Sequence, residues 1–522
     1  MSQRMFSNSM MTAIETAVLM VMVLIATPTL IKSFGVASYG AFVFLNIFSI
    51  YGALYFFDLG MEASLTTYVA RYDAASDGKK MQASLVVAVL YYGTLGALVG
   101  LVLLAGSDFI SNRFIDVKDE LNRDDVKNAL TIISVNVFLQ FLGLPFVAVL
   151  QGLRRYVVTK SVNSIATVIQ YTIIIIVSHY HGSIDKAFLV IACVSFLRVS
   201  FYLGLFRFGF PQFRRMSFKV ELSQLKVLVG YSSVLFVCRV LGLVNKNIHK
   251  LAIWLFMPVT NLATYDVVAR PSTFVRMPEA VVGTSIIPEV ARLNALGRKD
   301  EVASLYVRLI KYTYLMLVPL VIGLAVFMTD LLRLWVGDQF AEYAYLVRIL
   351  LLAFVLAPVP SLAFSAVVGL EKIGDAIWIS IAGTVLNGVL SLTLLHFIGL
   401  AGLLSATVAM HAFMFWPYLK KLEQYVGLVP GSVIKTAGRI WLWALPFVAL
   451  YLLVLLLFHG HTLLMLGVAA LVGLAHLLTE YKWLLTERER VFFMSKLRPG
   501  RGNGDGFQVS RPNGRTKNLE RR

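Results

Sequence analysis

Charged residues are scarce in this sequence: they make up 15% of it, whereas soluble globular domains carry about 25%. Cysteine is nearly absent, since Cys193 and Cys238 are the only two and both lie within apolar stretches. Two such residues exclude a disulfide framework, and they lack the paired spacing of a zinc site. These shortages argue against a soluble multidomain protein. We expect no metal site and no cofactor.

Apolar residues are abundant instead, at 58% of the chain with a mean hydropathy of +0.76. They form stretches of about twenty residues, the length of helix that crosses ~30 Å of hydrocarbon. In lipid the backbone must satisfy its own hydrogen bonds, so helices and closed barrels are the two possible solutions. A stretch such as 85–105 does not alternate apolar with polar residues as a barrel strand would. The sequence therefore predicts an all-α integral membrane protein.

The apolar stretches predict about fourteen transmembrane helices. The first could be mistaken for a signal peptide, but it lacks a small-residue cleavage site and the chain after it is equally apolar. The predicted spans are 12–32, 38–60, 84–106, 127–150, 161–181, 185–206, 226–256, 261–288, 309–329, 345–369, 376–397, 400–419, 438–458 and 462–484.

The net charge of +18 comes from 47 Lys and Arg against 29 Asp and Glu. Nucleic acid could explain such an excess, but cytoplasmic loops of membrane proteins also collect Lys and Arg. Counted from a cytoplasmic N-terminus, the even-numbered loops are basic. The odd-numbered loops are short, neutral or acidic. We therefore predict a bacterial cytoplasmic membrane protein with both termini cytoplasmic and no nucleic-acid partner. The basic even-numbered loops include Lys79, Lys80, Arg154, Arg155, Arg214, Arg215, Arg298, Lys299, Lys420 and Lys421.

Part of the sequence recurs in the middle of the chain. The segments 37–39, 69–74, 78–80 and 83–85 have counterparts at 263–265, 290–295, 297–299 and 303–305, in the same order. Four matches in one order argue for duplication of a six-helix unit. Because six is even, the two copies enter the membrane from the same side, and their symmetry axis follows the membrane normal.

The repeat predicts two six-helix bundles around a central cleft, with two extra helices at the C-terminal end. The N-terminal bundle is expected over residues 1–210 and the second over 211–425. The additional helices occupy 436–485, and 486–522 form a basic cytoplasmic tail near anionic lipid headgroups. A duplicated single chain fits alternating access better than a channel, whose pore usually needs several identical subunits.

Three basic residues interrupt the seventh span: Arg239, Lys246 and Lys250. At 100° per residue they lie within about 40° of one another on the helix. A charge at mid-bilayer costs about 2.5–3.5 kcal/mol on insertion scales. These three side chains therefore either line a water-filled cleft or, in the case of Lys246 and Lys250, extend their charged ends to the membrane interface.

The eighth span carries two closely spaced charge pairs, Asp266 with Arg270 and Arg276 with Glu279. Each pair could simply neutralise itself on one helix face. Two prolines break the same span, however, and broken helices are typical of cavity walls. The basic residues are therefore candidate anion-binding groups, because guanidinium forks suit phosphate oxygens.

Acidic candidates lie in two places. Asp58 and Glu62, one turn apart, end the second span and are either solvated or functional. Together with Asp266 and Glu279 they are candidate coupling or gating residues. No catalytic residue is expected.

Several short motifs resemble the polysaccharide flippases of the O-antigen (Wzx-type) branch of the multidrug/oligosaccharidyl-lipid/polysaccharide exporter superfamily. In the first half they are Phe34-Gly35-Val36-Ala37-Ser38-Tyr39-Gly40, Phe57-Asp58-Leu59-Gly60 and Val69-Ala70-Arg71. In the second half they are Leu262-Ala263-Thr264-Tyr265 and Ile286-Ile287-Pro288-Glu289-Val290-Ala291-Arg292.

This resemblance implies a two-bundle carrier that moves polyprenyl-diphosphate-linked oligosaccharide from the cytoplasmic to the periplasmic leaflet, as part of O-antigen and lipopolysaccharide synthesis. Membrane lipids, a polysaccharide polymerase and chain-length proteins are the partners it suggests. One position departs from the pattern: relatives often have an Asp-Lys pair where this chain has His249-Lys250. Proton or sodium coupling through that carboxylate is therefore in doubt here.

Three alternatives remain open from the sequence. A drug/cation antiporter of the same superfamily would be expected to bury acidic residues in its first bundle and to carry little intramembrane arginine. A membrane polysaccharide polymerase would need a large external loop with catalytic motifs, and the longest one here has about twenty residues. A lipid II flippase has nearly the same chemistry, and the sequence separates it poorly.

Overall fold

The computed structural model of the chain consists of helices joined by short connections, with no strand among the residues that it describes. The described residues are 3–49, 52–115, 122–210, 213, 242–245, 247–283, 286–458, 460–487 and 489–490.

The first half contains eight α-helices. Short 3₁₀ turns at Asn46–Phe48 and Ala53–Asp58 separate α2 from α3. The helices are α1 (Gln3–Phe34), α2 (Val36–Leu45), α3 (Met61–Ala74), α4 (Gly78–Ala105), α5 (Ser107–Ile115), α6 (Arg123–Gly152), α7 (Tyr156–His181) and α8 (Ile184–Gly209).

Within the described residues, the helices of the second half begin with the helical segments 242–245 and 247–256, the latter called α9 here. A 3₁₀ turn at Asp338–Tyr343 precedes α14. The other helices are α10 (Thr260–Val275), α11 (Met277–Gly283), α12 (Ile286–Ala295), α13 (Lys299–Val336), α14 (Ala344–Leu356), α15 (Pro358–Gly369), α16 (Ile373–Val426), α17 (Pro430–Leu457) and α18 (Thr462–Trp483).

Ten of these segments are long and apolar enough to cross a membrane, which confirms the all-α membrane class. The helix α16 covers two predicted spans, 376–397 and 400–419. The backbone angles of Ile398 and Gly399, between these two spans, are not helical and divide the helix there. The predicted second and eighth spans are broken into shorter helices, and most of the seventh lies outside the described residues. The count of fourteen therefore stays a prediction.

Helices, and not loops, follow the two broken spans, which corrects the prediction for those positions. Arg71 lies in helix α3 and Arg292 in helix α12, although both were assigned to loops. The breaks have local causes. A left-handed turn at Leu59 and Gly60 separates the Ala53–Asp58 turn from α3, and Pro278 lies in the first turn of α11. In both halves, each broken span thus continues as a helix beyond its predicted end.

Equivalent contacts occur in the two copies of the repeat. Val69 of α3 packs against Gly152 at the end of α6, and Val290 of α12 packs against Gly369 at the end of α15. Each glycine is followed two residues later by a left-handed residue, Arg154 in one half and Glu371 in the other. The recurrence of a helix contact together with its turn supports the duplication inferred from the sequence.

These two glycines give a first prediction. An added Cβ at Gly152 would lie 2.8 Å from Val69 Cβ, and one at Gly369 would lie 2.8 Å from Val290 Cβ. We expect Gly152→Ala and Gly369→Ala each to destabilise the protein by about 1–3 kcal/mol, the usual cost of overpacking. Thermal unfolding in detergent measures this effect. Gly438→Ala, where nothing lies within 4 Å, is the control. A substituted glycine that behaved like this control would contradict the close helix contact.

Within each half the helices pack along one another. In the first half, α1 packs on α7 and α6 packs on α4 and α8. In the second half, α16 packs on α14 and α15, while α17 and α18 pack on α13. The halves meet where α2 lies along α10. We call this contact the seam.

Candidate functional site

The seam is a close backbone contact. An added Cβ at Gly40 would lie 2.2 Å from the carbonyl oxygen of Val259, directly before α10. Further along α2, the ring of Phe44 stacks on that of Trp254 in α9, with 4.6 Å between the ring centroids. Glycine at position 40 therefore lets α2 approach the second half more closely than any other residue would.

Three polar side chains join the two halves beside this contact. The Tyr39 hydroxyl donates a hydrogen bond to Asp266 Oδ2 at 2.7 Å. Arg270 donates through Nε to the same oxygen at 2.6 Å and through Nη2 to the Tyr39 oxygen at 3.0 Å. The three residues form a closed ring of contacts, which we call the seam triad.

The seam triad is mostly enclosed. Tyr39 is fully buried, and the side chains of Arg270 and Asp266 are 20% and 13% exposed. Asp266 and Arg270 form an ion pair one helical turn apart, as the sequence allowed for two opposite charges on one helix face. The contact of both residues with Tyr39 was not predicted. Because a guanidinium has five N–H donors and the triad uses Nε and Nη2, Arg270 also has donors for an anion.

Two further side chains lie near the triad. Lys250 of α9 interacts electrostatically with Asp266, and Tyr171 of α7 is within electrostatic range of both Arg270 and Asp266. The structure thus brings Lys250, Asp266 and Arg270 together, three of the residues predicted from the sequence. The site is a mixed-charge cluster with two cations and one carboxylate.

A second contact joins the halves at the same end of the bundle. Trp335, near the end of α13, donates a hydrogen bond from Nε1 to the carbonyl oxygen of Leu24 in α1 at 2.8 Å. The helices α1 and α13 end on this side, where α2 and α10 begin. The halves are therefore held together at one end by the seam triad, the Gly40 contact and this hydrogen bond.

The second predicted pair in this region does not form. Arg276 is exposed and places its guanidinium over the ring of Phe354 in α14, 5.5 Å from the centroid. Glu279 lies within electrostatic range of Tyr314 in α13 instead. No ion pair joins Arg276 to Glu279 within the part of the chain described, and Arg276 itself lies at the junction between α10 and α11.

Asp58 is fully buried, so it is not solvated. Its carboxylate accepts hydrogen bonds from the backbone N–H groups of Gly60 and Glu62, each at 3.1 Å, and a short one from the Tyr92 hydroxyl. It therefore caps the start of α3, where backbone donors have no helical partner. Glu62 is half-buried in the first turn of that helix.

Two predicted residues, Arg239 and Lys246, lie outside the described residues. His249, at the position that departs from the flippase pattern, is buried in a polar network of the second half. One ring nitrogen, Nδ1, lies 3.2 Å from the Tyr265 hydroxyl, and Nε2 lies 3.5 Å from Thr407 Oγ1. Nearby, Asn245 donates to Thr384 Oγ1 at 2.8 Å. This imidazole therefore sits among uncharged partners.

Tyr39 is the site residue that the sequence did not single out. The signal was present, because Tyr39 belongs to the repeated segment 37–39 and matches Tyr265 in the second copy. The repeat identifies both tyrosines, but it does not predict that Tyr39 contacts Asp266, the residue directly after Tyr265.

Comparisons with known proteins give one family match. A family model described as polysaccharide biosynthesis protein matches residues 33–345, more than half of the chain. Over 226 residues the chain is 21% identical to the "Probable low-salt glycan biosynthesis flippase Agl15" of Haloferax volcanii. That alignment covers 43% of this chain and 47% of the relative. The chain thus matches about half the length of this curated relative.

Solved structures with the same fold include two transporters. "Lipid II flippase MurJ, inward closed conformation" aligns with a TM-score of 0.70 at 14% identity, covering 93% of this chain and 99% of that one. An inward-facing multidrug resistance MATE family transporter of the MOP superfamily aligns at 0.63 and 13% identity, covering 79% of this chain and 98% of that one. The chain therefore has the helical fold that these two proteins share.

Proposed function

This chain belongs to the family of polysaccharide biosynthesis proteins, and from that premise we propose that it is a flippase for polyprenyl-diphosphate-linked oligosaccharide. It carries the lipid-linked unit from the cytoplasmic to the periplasmic leaflet by alternating access and makes no covalent change to it. The observation that supports this most is the mixed-charge cluster at the seam, where Arg270 is paired with Asp266 and Lys250 lies within electrostatic range of the same carboxylate.

In this proposal, the diphosphate competes with Asp266 for the two cations. Charge-assisted hydrogen bonds from guanidinium to phosphate are among the strongest in proteins. A diphosphate carries more negative charge than one carboxylate, so it draws Arg270 away from Asp266. Tyr39 then loses its bond to Arg270 and is held to α10 by its bond to Asp266 alone, which weakens the contact between α2 and α10. Substrate binding is thereby linked to opening of the seam.

The other predicted residues have supporting roles in this scheme. Arg239, Lys246 and Arg276 are further candidate contacts for the diphosphate and acidic sugars, as their charge and spacing in the sequence predict. Glu279 and Glu62 are candidate gating carboxylates. Asp58 acts through the position of α3, because its oxygens are bound to the backbone there.

We further propose that the two bundles are residues 1–210 and 211–425, with 436–485 as added helices and 486–522 as a basic tail. Both termini face the cytoplasm in a bacterial inner membrane, as the loop charges predict. The end of the bundle that holds the seam triad then faces the periplasm. A polymerase of the O-antigen and lipopolysaccharide pathway would receive the flipped unit there.

A flipping assay with reconstituted protein tests this proposal. Full-length protein in vesicles would receive a fluorescent polyprenyl-diphosphate-linked oligosaccharide, and a membrane-impermeant reagent would report its leaflet. We expect Lys250→Gln to slow flipping about 10- to 100-fold, because a hydrogen bond to a charged group contributes about 1.5–3 kcal/mol. A monophosphate-linked probe should flip more slowly than the diphosphate one in the wild-type protein.

Lys372→Gln is the matched control. This lysine is exposed and lies over the ring of Tyr425, away from the seam. Equal loss in both variants would contradict a substrate contact at Lys250. Preference for lipid II over other diphosphate-linked glycans would identify a lipid II flippase, and transport of cationic drugs in place of the lipid would identify an antiporter.

A further inference from the structure

Helix α18 carries a buried pair of ionisable side chains far from the seam. His476 is 0% exposed and Glu480 is 2% exposed, and Nε2 of the first lies 3.4 Å from Oε1 of the second. Apart from that contact, their side-chain nitrogen and oxygen atoms have no hydrogen-bond partner among the described residues. Carboxylates and imidazoles are rarely buried in membrane helices without a functional reason.

The surroundings of this pair are largely apolar. The ring of Phe447 in α17 stacks on the His476 ring, with 4.1 Å between centroids and an angle of 6°. This contact covers one face of the imidazole with an apolar ring. Tyr451, also in α17, is within electrostatic range of Glu480 and packs against Phe327 of α13. The pair is thus enclosed among α13, α17 and α18.

Other titratable groups nearby are engaged elsewhere or exposed. On α13, Lys311 and Tyr312 bind Glu489, and the Tyr314 hydroxyl donates to the Val355 carbonyl. On α17, Arg439 is exposed. On α18 itself, the Tyr481 hydroxyl contacts the Arg490 carbonyl, and Lys482 lies over Trp483.

The net charge of the His476–Glu480 pair depends on how many protons it holds. With one proton, the pair is neutral overall, whether the proton sits on Glu480 or on His476. Gain of a second proton leaves a net positive charge in an apolar setting, and loss of the first leaves a net negative one. Each change is unfavourable unless the surroundings rearrange or admit water. The proton content of the pair is therefore coupled to how α13, α17 and α18 pack.

The pair is also linked to the contact between the halves. Helix α13, against which α18 packs, carries Trp335 and its hydrogen bond to Leu24. Shortly after α18 ends, Glu489 is bound to Lys311 of α13 at 2.7 Å. A change in α18 packing can thus reach the seam end through one continuous helix.

We propose that His476 and Glu480 form a proton-binding site that couples proton movement to opening and closing of the two halves. A proton from the water on one side binds the pair in one conformation and leaves to the other side in the alternate conformation. No covalent chemistry and no metal is involved. The coupling part of this proposal rests on the proposed transport function, whereas proton binding itself does not.

Infrared difference spectroscopy on the full-length protein in lipid tests proton binding. During titration from alkaline to acidic pH, the wild-type protein should gain a carboxylic acid C=O signal from Glu480 beside those of its other acidic residues, resolved by subtracting the spectrum of Glu480→Gln. Glu480→Gln, which keeps the shape of the side chain, should lack that signal. Tyr451→Phe, which alters the same cluster without removing its acid, should keep it. Identical titrations of wild type and Glu480→Gln would overturn the proposal.

Flipping of the polyprenyl-diphosphate-linked probe, with and without an imposed pH gradient, tests coupling. The gradient should accelerate flipping by the wild-type protein and by Tyr451→Phe, and it should have no effect on Glu480→Gln. A Glu480→Gln protein that still responds to the gradient would overturn coupling through this site. If the wild-type protein flips no probe under any gradient, the proposed function fails, and the infrared signal still decides whether the pair binds a proton.

Discussion

Replacing Arg270 by alanine is expected to slow lipid flipping by about a hundredfold. The side chain is 20% exposed and holds both Asp266 and Tyr39. In the proposed function Arg270 also binds the substrate diphosphate, and a hydrogen bond to a charged group contributes about 1.5–3 kcal/mol. A loss of about 3 kcal/mol at that contact corresponds to roughly a hundredfold change in rate.

Two further variants make this result specific. Arg270→Lys keeps the charge but not the fork that reaches Asp266 and Tyr39 together, so its rate should be intermediate. Arg292→Ala removes an exposed arginine that pairs with Glu289 three residues away, a contact worth about 0–1 kcal/mol. Its flipping rate should stay close to wild type. The assay is the vesicle assay described above, and a normal rate for Arg270→Ala would exclude the seam triad from transport.

The second large effect is expected from a single methyl group at the seam. The Cβ of Gly40→Ala would lie 2.2 Å from the carbonyl oxygen of Val259, where ordinary contacts exceed 3.4 Å. The added Cβ is attached to the backbone of α2, and the Val259 oxygen belongs to the backbone directly before α10. Neither atom can rotate out of the contact. The helices α2 and α10 must separate, and this separation also lengthens the bond between Tyr39 and Asp266. We expect a loss of about 1–3 kcal/mol from overpacking and at least a tenfold loss of flipping.

Gly93→Ala in helix α4 is the matched control for that substitution. Nothing lies within 4 Å of the added Cβ there, so the change should stabilise the helix by about 0.5–1 kcal/mol. Thermal unfolding in detergent should therefore shift in opposite directions for the two variants. A Gly40→Ala protein as stable and as active as Gly93→Ala would show that α2 and α10 are not in close contact in the working protein.

Some features of this site followed from sequence spacing. Asp266 and Arg270 are four residues apart on one helix, and that separation alone places them on the same face. The same rule places His476 and Glu480 on one face of the last apolar span, although neither was among the residues predicted for a site. Their spacing and their apolar neighbours were the signal that could have identified them.

Other features depended on the packing of the halves. The breaks within the second and eighth spans were not predicted, because apolar composition continues through residues 53–57 while the backbone there forms a 3₁₀ turn. Arg276 contacts the ring of Phe354 and Glu279 lies within electrostatic range of Tyr314, and residue spacing along one helix does not represent such contacts with neighbouring helices. In the same way, the sequence left Asp58 either solvated or functional, and only the packing of Tyr92 and the start of α3 around it shows that it is buried.

The sequence by itself determined the membrane class, the duplication and the charges on the face of α10, because hydropathy, repetition and helical periodicity are local properties of the chain. Only the tertiary structure decided that Tyr39 binds Asp266, 227 residues away, and that Phe447 encloses His476. Contacts of that kind depend on how closely helices from distant segments approach. At the seam, that approach is set by the missing side chain of Gly40.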